Sequence, residues 1–123
     1  MLGWRWEMET RNWRARVLEL LGLAYRAGAV ERGVAATRRA LRDGRAQLVL
    51  IADDASTSQV KKVMGLMEHR SVPGRRAGGR EALGAALGAL PLSAVAITRR
   101  DFAEPMLHQL SGELDGQGEA SGG

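Results

Sequence analysis

The chain has 123 residues, of which 45% are hydrophobic, and this is enough for one domain with a modest core. Residues 111–123 hold three acids and no base, so residues 1–110 carry 18 basic against 11 acidic residues, a net charge of +7 that favours a polyanionic partner. The absence of cysteine excludes disulfides and thiol chemistry and agrees with a cytoplasmic location, and no apolar run is long enough for a membrane span.

Two helices are predicted in the first part of the chain. Helical periodicity starts at Trp13 and ends at Gly28, and residues 1–12 are expected to form a loosely packed N-terminal extension. A second helix is predicted from Val34 to Arg42, with Gly44 ending it. Its spacing predicts one buried and one exposed side: the buried positions are Val34, Thr37 and Leu41, and the exposed positions are Ala35, Arg39 and Arg42.

The second part of the chain alternates strands and helices. Residues 47–52 and 93–97 are short apolar runs, which are typical of central strands covered on both faces. Ser56 and Gln59 fit a capping box before a helix, and we expect that helix to bury Val60, Val63, Met64 and Met67.

Later segments complete the predicted domain. Val72 and Pro73 predict a short strand that leads into a flexible cationic loop over residues 74–80. Helices are expected over 80–87 and 102–110. Because proline is tolerated best in the first turn of a helix, the last helix could instead begin at Glu104, with Pro105 in its first turn. Residues 111–123 predict a disordered acidic, Gly-rich tail. The alternation predicts an α/β class fold, a three-layer α/β/α sandwich with a small mixed sheet, over residues 13–110.

Four segments of this chain resemble one protein family. They are LLGLAYRAGAVERG at 20–33, GRAQLVLIADDAS at 44–56, Val72-Pro73 with EALGAALG at 81–88, and VAITRRDFA at 95–103. Their order and spacing are similar to the kink-turn-binding ribosomal protein family of the L7Ae and L30e type, and within it to the bacterial YlxQ-like members. The resemblance implies a three-layer α/β/α fold and RNA binding without catalysis, cofactor or small-molecule substrate. The implied partner is ribosomal RNA or another structured RNA, with the ribosome as a possible place of action.

The resemblance also implies which residues contact RNA. The family motif is a Gly, any residue, Asn-Glu, two residues and a Lys. In this chain Gly33 takes the Gly position and Arg39 the Lys position, whereas Ala35 and Ala36 stand where the family has the Asn-Glu pair that reads sheared G·A base pairs. A second family contact is the loop before the last strand, which corresponds here to Leu90, Pro91, Leu92 and Ser93.

The residues themselves supply a physical reason for binding RNA. Gly33 precedes a helix, and a helix N-terminus favours a phosphate that the small glycine allows to approach. Alternatively, Gly33 is present only because the turn before the helix requires a positive φ, and it does not contact RNA. Arg39 and Arg42 share a face with Ala35 and would hold a backbone without reading sequence, unless they form only a solvated face. The Leu90–Leu92 segment either contacts an unstacked base or caps the core.

Other functions are weighed against RNA binding. Asp53 and Asp54 are adjacent at the end of a predicted strand, so their side chains should point in different directions and are not expected to share a catalytic site. One of them is expected to lie beside Ser56, at the start of the following helix. No metal-ligand spacing and no nucleotide-binding loop is present in the sequence. The alternatives are a protein-interaction adaptor that has lost kink-turn specificity and an accessory substrate-binding domain of an RNA-modifying enzyme.

Overall fold

The computed structural model describes the backbone of residues 2–110 and the side chains of residues 13–110. The tail predicted at 111–123 lies outside the described residues. The elements in chain order are α1 (Leu2–Arg26), β1 (Val30–Arg32), α2 (Val34–Arg42), β2 (Leu48–Ile51), α3 (Thr57–Arg70), β3 (Gly74–Arg76), α4 (Arg80–Ala86), β4 (Ala94–Ile97) and α5, which is helical over 100–110. None of the helices within residues 2–110 combines the length and apolar character that a membrane span needs.

The four strands form one mixed sheet in the order β1-β4-β2-β3. Strand β4 runs antiparallel to both β1 and β2, whereas β3 runs parallel to β2. Every residue of β2 and β4 is buried, so the prediction of two central strands is confirmed. The ends of β1, β2 and β3 therefore meet the start of β4 at one end of the sheet.

Alternating side chains of the sheet build two separate cores. Leu48 and Leu50 of β2 face the layer formed by α1, α4 and α5. Val49 and Ile51 face the opposite layer, formed by α2 and α3. The three-layer α/β/α sandwich is thus confirmed, with the sheet in the middle.

Several local expectations are confirmed by the side chains. Helix α2 has the predicted bounds, and it buries Thr37 and Leu41 together with Ala40, while Val34 is only partly buried against the same core. The Ser56 hydroxyl accepts a hydrogen bond from the Gln59 amide at 3.3 Å, as a helix cap does. The bounds of α4 also follow the prediction closely.

The bounds of two helices and one strand differ from the prediction. Helix α1 begins at Leu2 rather than at Trp13, because residues 2–12 are rich in good helix formers even though they lack an apolar period. The strand expected at Val72-Pro73 lies instead at Gly74–Arg76, inside the segment predicted as a flexible loop. Helix α5 begins at residue 100 and contains Pro105. Strand β1 was not predicted, since three residues are too few to show a period.

Met64 is not a core residue, contrary to the prediction. It is 40% exposed, whereas Val63 and Met67 of the same helix are buried and Val60 is partly buried. The spacing of Met64 suits burial, but it faces the free edge of the sheet beyond β3, where no further strand covers it among residues 2–110.

Candidate nucleic-acid interface

The N-terminus of α2 is open at one end of the sheet. Gly33 is its N-cap residue, with φ 94° and ψ 166°, a backbone conformation that favours glycine. A Cβ added at Gly33 would find no heavy atom within 4 Å, so the space in front of the helix is empty. Within residues 2–110, the N–H groups of Val34, Ala35 and Ala36 have no hydrogen-bond acceptor. These three donors and the helix dipole make this end attractive to an anion.

The loop before β4 lies directly beside this helix start. The Gly33 amide donates a hydrogen bond to the Ala94 carbonyl at 2.9 Å, and the Ala52 amide donates to the Ser93 carbonyl at 2.9 Å. The loop is also held on α4, because the Leu92 amide donates to the Arg80 carbonyl at 3.0 Å. The two segments that the resemblance assigns to RNA contact are therefore neighbours in space.

The three loop residues differ in exposure. Leu90 is 84% exposed, more than any other large hydrophobic residue of the described part of the chain. Pro91 is also exposed, whereas Leu92 is half-buried and packs against the core. Leu90 and Pro91 are thus available to a partner, and Leu92 mainly fixes the loop.

The exposed side of α2 is cationic. Ala35, Arg39 and Arg42 are exposed as predicted, and Ala36 is half-buried. Helix α2 contains no acidic residue, and no ion pair involving Arg39 or Arg42 occurs among the described residues. We call Ala35, Ala36, Arg39 and Arg42 the outer face of α2. Arg39 lies roughly 9 Å from Gly33 along the helix axis.

Several arginines elsewhere in the described residues are paired with acids. Arg45 pairs with Glu31 at 2.8 Å, and this hydrogen bond raises the pKa of the Arg45 guanidinium above its ordinary value. Arg100 pairs with Glu104 at 3.1 Å at the far end of the sheet. The outer face of α2 therefore carries two positive charges that form no ion pair with an acid in the described part of the chain.

Arg32, the residue before Gly33, is an exposed cation that the sequence does not single out. Its guanidinium carbon lies 4.9 Å from the centre of the Tyr25 ring, which holds the side chain against α1. The contact joins the end of α1 to the end of β1, so no helical or strand spacing signals it. Arg32 therefore places a positive charge on the α1 side of β1, separate from the outer face of α2.

The two neighbouring aspartates serve structural contacts. The Asp54 carboxylate accepts a 2.8 Å hydrogen bond from the Arg80 amide at the start of α4, not at the start of α3 as expected. This backbone bond, with the nearby Arg80 guanidinium, lowers the pKa of Asp54 below its ordinary value despite partial desolvation. Asp53 lies 3.6 Å from an Arg14 guanidinium nitrogen. Within the described residues, no cluster of three potential metal ligands exists.

Comparison with known proteins identifies the family. The profile of the ribosomal protein L7Ae/L30e/S12e/Gadd45 family matches residues 15–106. The chain belongs to this family. It is 36% identical over 91 residues to the RNA-binding protein YlxQ of Bacillus subtilis (strain 168), which covers 74% of this chain and 91% of the relative. The family resemblance drawn from the sequence, including its YlxQ-like character, is confirmed.

Two solved structures share the fold of this L7Ae/L30e-family chain. One is a protein of unknown function from Bacillus halodurans C, with a TM-score of 0.75, 27% identity, and coverage of 79% of this chain and 98% of that one. The other is a 15.5kD RNA binding protein from Giardia lamblia, with a TM-score of 0.68, 24% identity, and coverage of 85% and 89%. At these similarities the second comparison supports the fold alone.

Proposed function

We propose that this chain is a non-catalytic RNA-binding protein that holds a structured RNA against the start of α2. One observation carries the proposal: the hydrogen bond from Gly33 to Ala94 places the three free N–H groups of α2 beside the exposed loop that contains Leu90. The 36% identical relative is named an RNA-binding protein, which supports the same function here. An RNA backbone supplies the anion that this end of the helix favours.

The outer face of α2 supplies affinity more than sequence specificity. A phosphate would bind the free N–H groups in front of Gly33, and the exposed guanidiniums of Arg39 and Arg42 would hold phosphates further along the helix. Ala35 and Ala36 allow the backbone to come close, but their methyl groups donate no hydrogen bond to a base edge. We therefore infer that the protein recognises RNA shape and backbone rather than a base sequence.

The loop before β4 adds an apolar contact. Leu90 and Pro91 are exposed at its tip, while Leu92 and the backbone hydrogen bonds hold the loop in place. An unstacked base of a bent or bulged RNA presents a flat apolar face of the kind that fits such a tip. A phosphate-binding helix start next to an apolar loop tip favours a structured RNA as the target, either kink-turn-like or ribosomal. We propose that the protein binds this RNA in the cytoplasm.

Titration with three RNAs tests this function. The full chain is mixed with a kink-turn RNA, a plain duplex of equal length and a single strand, each between about 50 and 200 mM salt. We expect the tightest binding to the kink-turn RNA, a steep loss of affinity with salt, and recovery of the RNA uncleaved. Equal affinity for all three would contradict recognition of structured RNA, and absence of binding to all three would contradict the function itself.

A further inference from the structure

An open groove of about 760 Å³ follows the free edge of β3, on the part of the molecule away from the outer face of α2. Side chains from α3 form one wall and side chains from α1 and α5 form the other. Strand β3 pairs only with β2 in the described sheet, so its second edge faces this groove. We call it the β3-edge groove, and its main lining residues are Trp13, Val60, Met64, Met67, Arg75 and Leu110.

The edge of β3 has backbone groups ready to pair with another strand. The Val49 amide donates to the Pro73 carbonyl at 3.0 Å, so the backbone groups of Pro73 and Arg75 face β2. Those of Gly74 and Arg76 therefore face the groove. At Gly74 an added Cβ would lie 2.6 Å from the Met67 methyl carbon, so the end of the Met67 side chain lies directly against the strand here. The floor of the groove is apolar and close to the strand edge.

The two walls of the groove differ in chemistry. Gly74 and Arg76 align with Val49 and Ile51, whose side chains face α3, and Arg75 aligns with Leu50, whose side chain faces α1 and α5. The α3 wall is mainly apolar and includes the exposed Met64, but it also carries Glu68, and the Arg76 guanidinium on that side donates to the Ala52 carbonyl at 2.9 Å. The opposite wall contains the Arg75 guanidinium.

Arg75 lacks a full set of hydrogen-bond partners. One of its terminal nitrogens donates to the Gly74 carbonyl at 2.8 Å, but its Nε is buried without a partner in the described part of the chain. A buried N–H without an acceptor is costly, and a carboxylate is the acceptor that suits a guanidinium best. Arg14 also lines the groove, and within the described residues its ion pair is with Asp53, at 3.6 Å. This wall therefore favours an acidic occupant.

The chain continues from the groove with a matching sequence. Leu110 lines the groove and is followed by Ser, Gly, Glu113, Leu114 and Asp115. Glu113 is three residues from Leu110, a reach of at most about 10 Å. In an extended segment Leu114 points to one side, and Glu113 and Asp115 both point to the other. An apolar side chain between two acids matches a groove whose α3 wall is mainly apolar and whose lining carries three arginines against the two acids Asp53 and Glu68.

We propose that residues 112–116 of this chain occupy the β3-edge groove as a fifth strand. Leu114 packs on the α3 wall against Val60 and Met64, and the carboxylates of Glu113 and Asp115 face Arg75 and Arg14. The backbone of this segment pairs with the outward N–H and C=O groups of Gly74 and Arg76. The groove is thus a docking site for the chain's own segment, independent of RNA binding.

Engineered disulfides test the docking, because the chain has no cysteine of its own. The full chain carrying Met64→Cys and Leu114→Cys is oxidised mildly, and the matched control carries Lys62→Cys and Leu114→Cys, since Lys62 is exposed on the same helix but does not line the groove. We expect the intramolecular disulfide to form at least about tenfold faster in the first variant than in the control. Adding Glu113→Arg and Asp115→Arg to the first variant should remove most of this advantage.

Equal disulfide rates in the two variants, or a disulfide between two molecules, would overturn the proposal. Hydrogen exchange on chains without cysteine gives a second measurement that does not depend on the cysteine variants folding. The amides of Gly74 and Arg76 should exchange at least about tenfold faster in the Glu113→Arg, Asp115→Arg variant than in the natural chain. Identical exchange in both would overturn the proposal. RNA affinity should be the same in the Met64→Cys, Leu114→Cys variant and in the natural chain, because neither substitution changes a charge, so this test and that of the proposed function fail separately.

Discussion

The amide of Gly33 and the carbonyl of Ala94 are joined by a hydrogen bond of 2.9 Å, and this bond links the two halves of the proposed RNA-binding surface. Gly33 opens α2 and Ala94 opens β4, so the helix start and the loop before β4 keep one relative position. Because both segments are anchored in the sheet, the surface needs little ordering when RNA binds. Preformed surfaces of this kind lose less conformational entropy on binding.

Removing the charge of Arg39 should weaken RNA binding without affecting the fold. Arg39 is exposed and forms no ion pair among the described residues, so Arg39→Ala should leave the free energy of unfolding within about 0.5 kcal/mol of the natural value. RNA affinity should fall about fivefold for every RNA, and the slope of log affinity against log salt should decrease by about one phosphate contact. The measurement is a salt series of binding titrations.

The matched control for Arg39 is Arg100. Its side chain is 81% exposed and it lies beyond the end of β4, away from Gly33. Arg100→Ala removes the same charge and should leave RNA affinity nearly unchanged. An equal loss in both variants would mean that only the net charge matters, which would contradict a site on α2.

Replacing Leu90 at the loop tip by serine should lower the affinity for RNA while leaving the stability of the fold almost unchanged. Leu90 is 84% exposed, so its replacement should change the free energy of unfolding by less than about 0.5 kcal/mol. Affinity for a structured RNA should fall about fivefold, because an apolar contact with a base is lost. Leu23→Ser is the control, since Leu23 is also 50% exposed but lies on α1. The same affinity loss in Leu23→Ser would contradict a specific role for the loop.

Restoring the family pair on α2 should increase specificity. Ala35 is exposed and Ala36 is half-buried, so Asn and Glu side chains can be accommodated at the helix start, where a carboxylate is also favoured by the dipole. The double variant Ala35→Asn, Ala36→Glu should prefer a kink-turn RNA over a plain duplex by about tenfold more than the natural chain does. Parallel titrations with both RNAs measure this ratio. An unchanged ratio would show that these positions do not face the bases.

Acid should loosen α4 before α3. The pKa of Asp54 in the folded state lies below the ordinary value of 3.8, so its contribution to stability is present above that value and is lost as the pH falls through the lowered pKa. Below this value the Arg80 amide loses a charged acceptor, and hydrogen exchange in the first turn of α4 should accelerate. Asp54→Asn should remove this pH dependence. The first turn of α3 is the internal control, because its cap is the hydroxyl of Ser56, which does not titrate in this range.

How far the fold is predictable from sequence depends on the range of the contacts. Helix α2 was predicted to the residue because its apolar stripe is local and Gly33 and Gly44 bound it. Strands β1 and β3 are three residues long, and their existence depends on pairing with residues far away in the chain, such as Val30 with Ile97. No local pattern carries that information.

The same distinction applies to the candidate interface. The exposed arginines of α2 follow from helical spacing, whereas the adjacency of Gly33 to the loop before β4 depends on the pairing of β1 with β4 and was reached only through the family resemblance. The Arg32–Tyr25 contact and the cap of α4 by Asp54 are tertiary, and neither was predicted. Met64 shows the opposite error: its spacing indicated burial, but the sheet ends before reaching it.

The most direct measurement of the central claim is a map of backbone amide chemical shifts during titration with a kink-turn RNA, at a salt concentration that permits binding. We predict the largest changes at the amides of Val34, Ala35 and Ala36 and at those of residues 89, 90 and 92, since Pro91 has no amide proton, with smaller changes along α2 to Arg42. If the largest changes fall instead at the far end of the sheet around Gly28 and Arg100, or along the β3-edge groove, the start of α2 is not where this protein holds RNA.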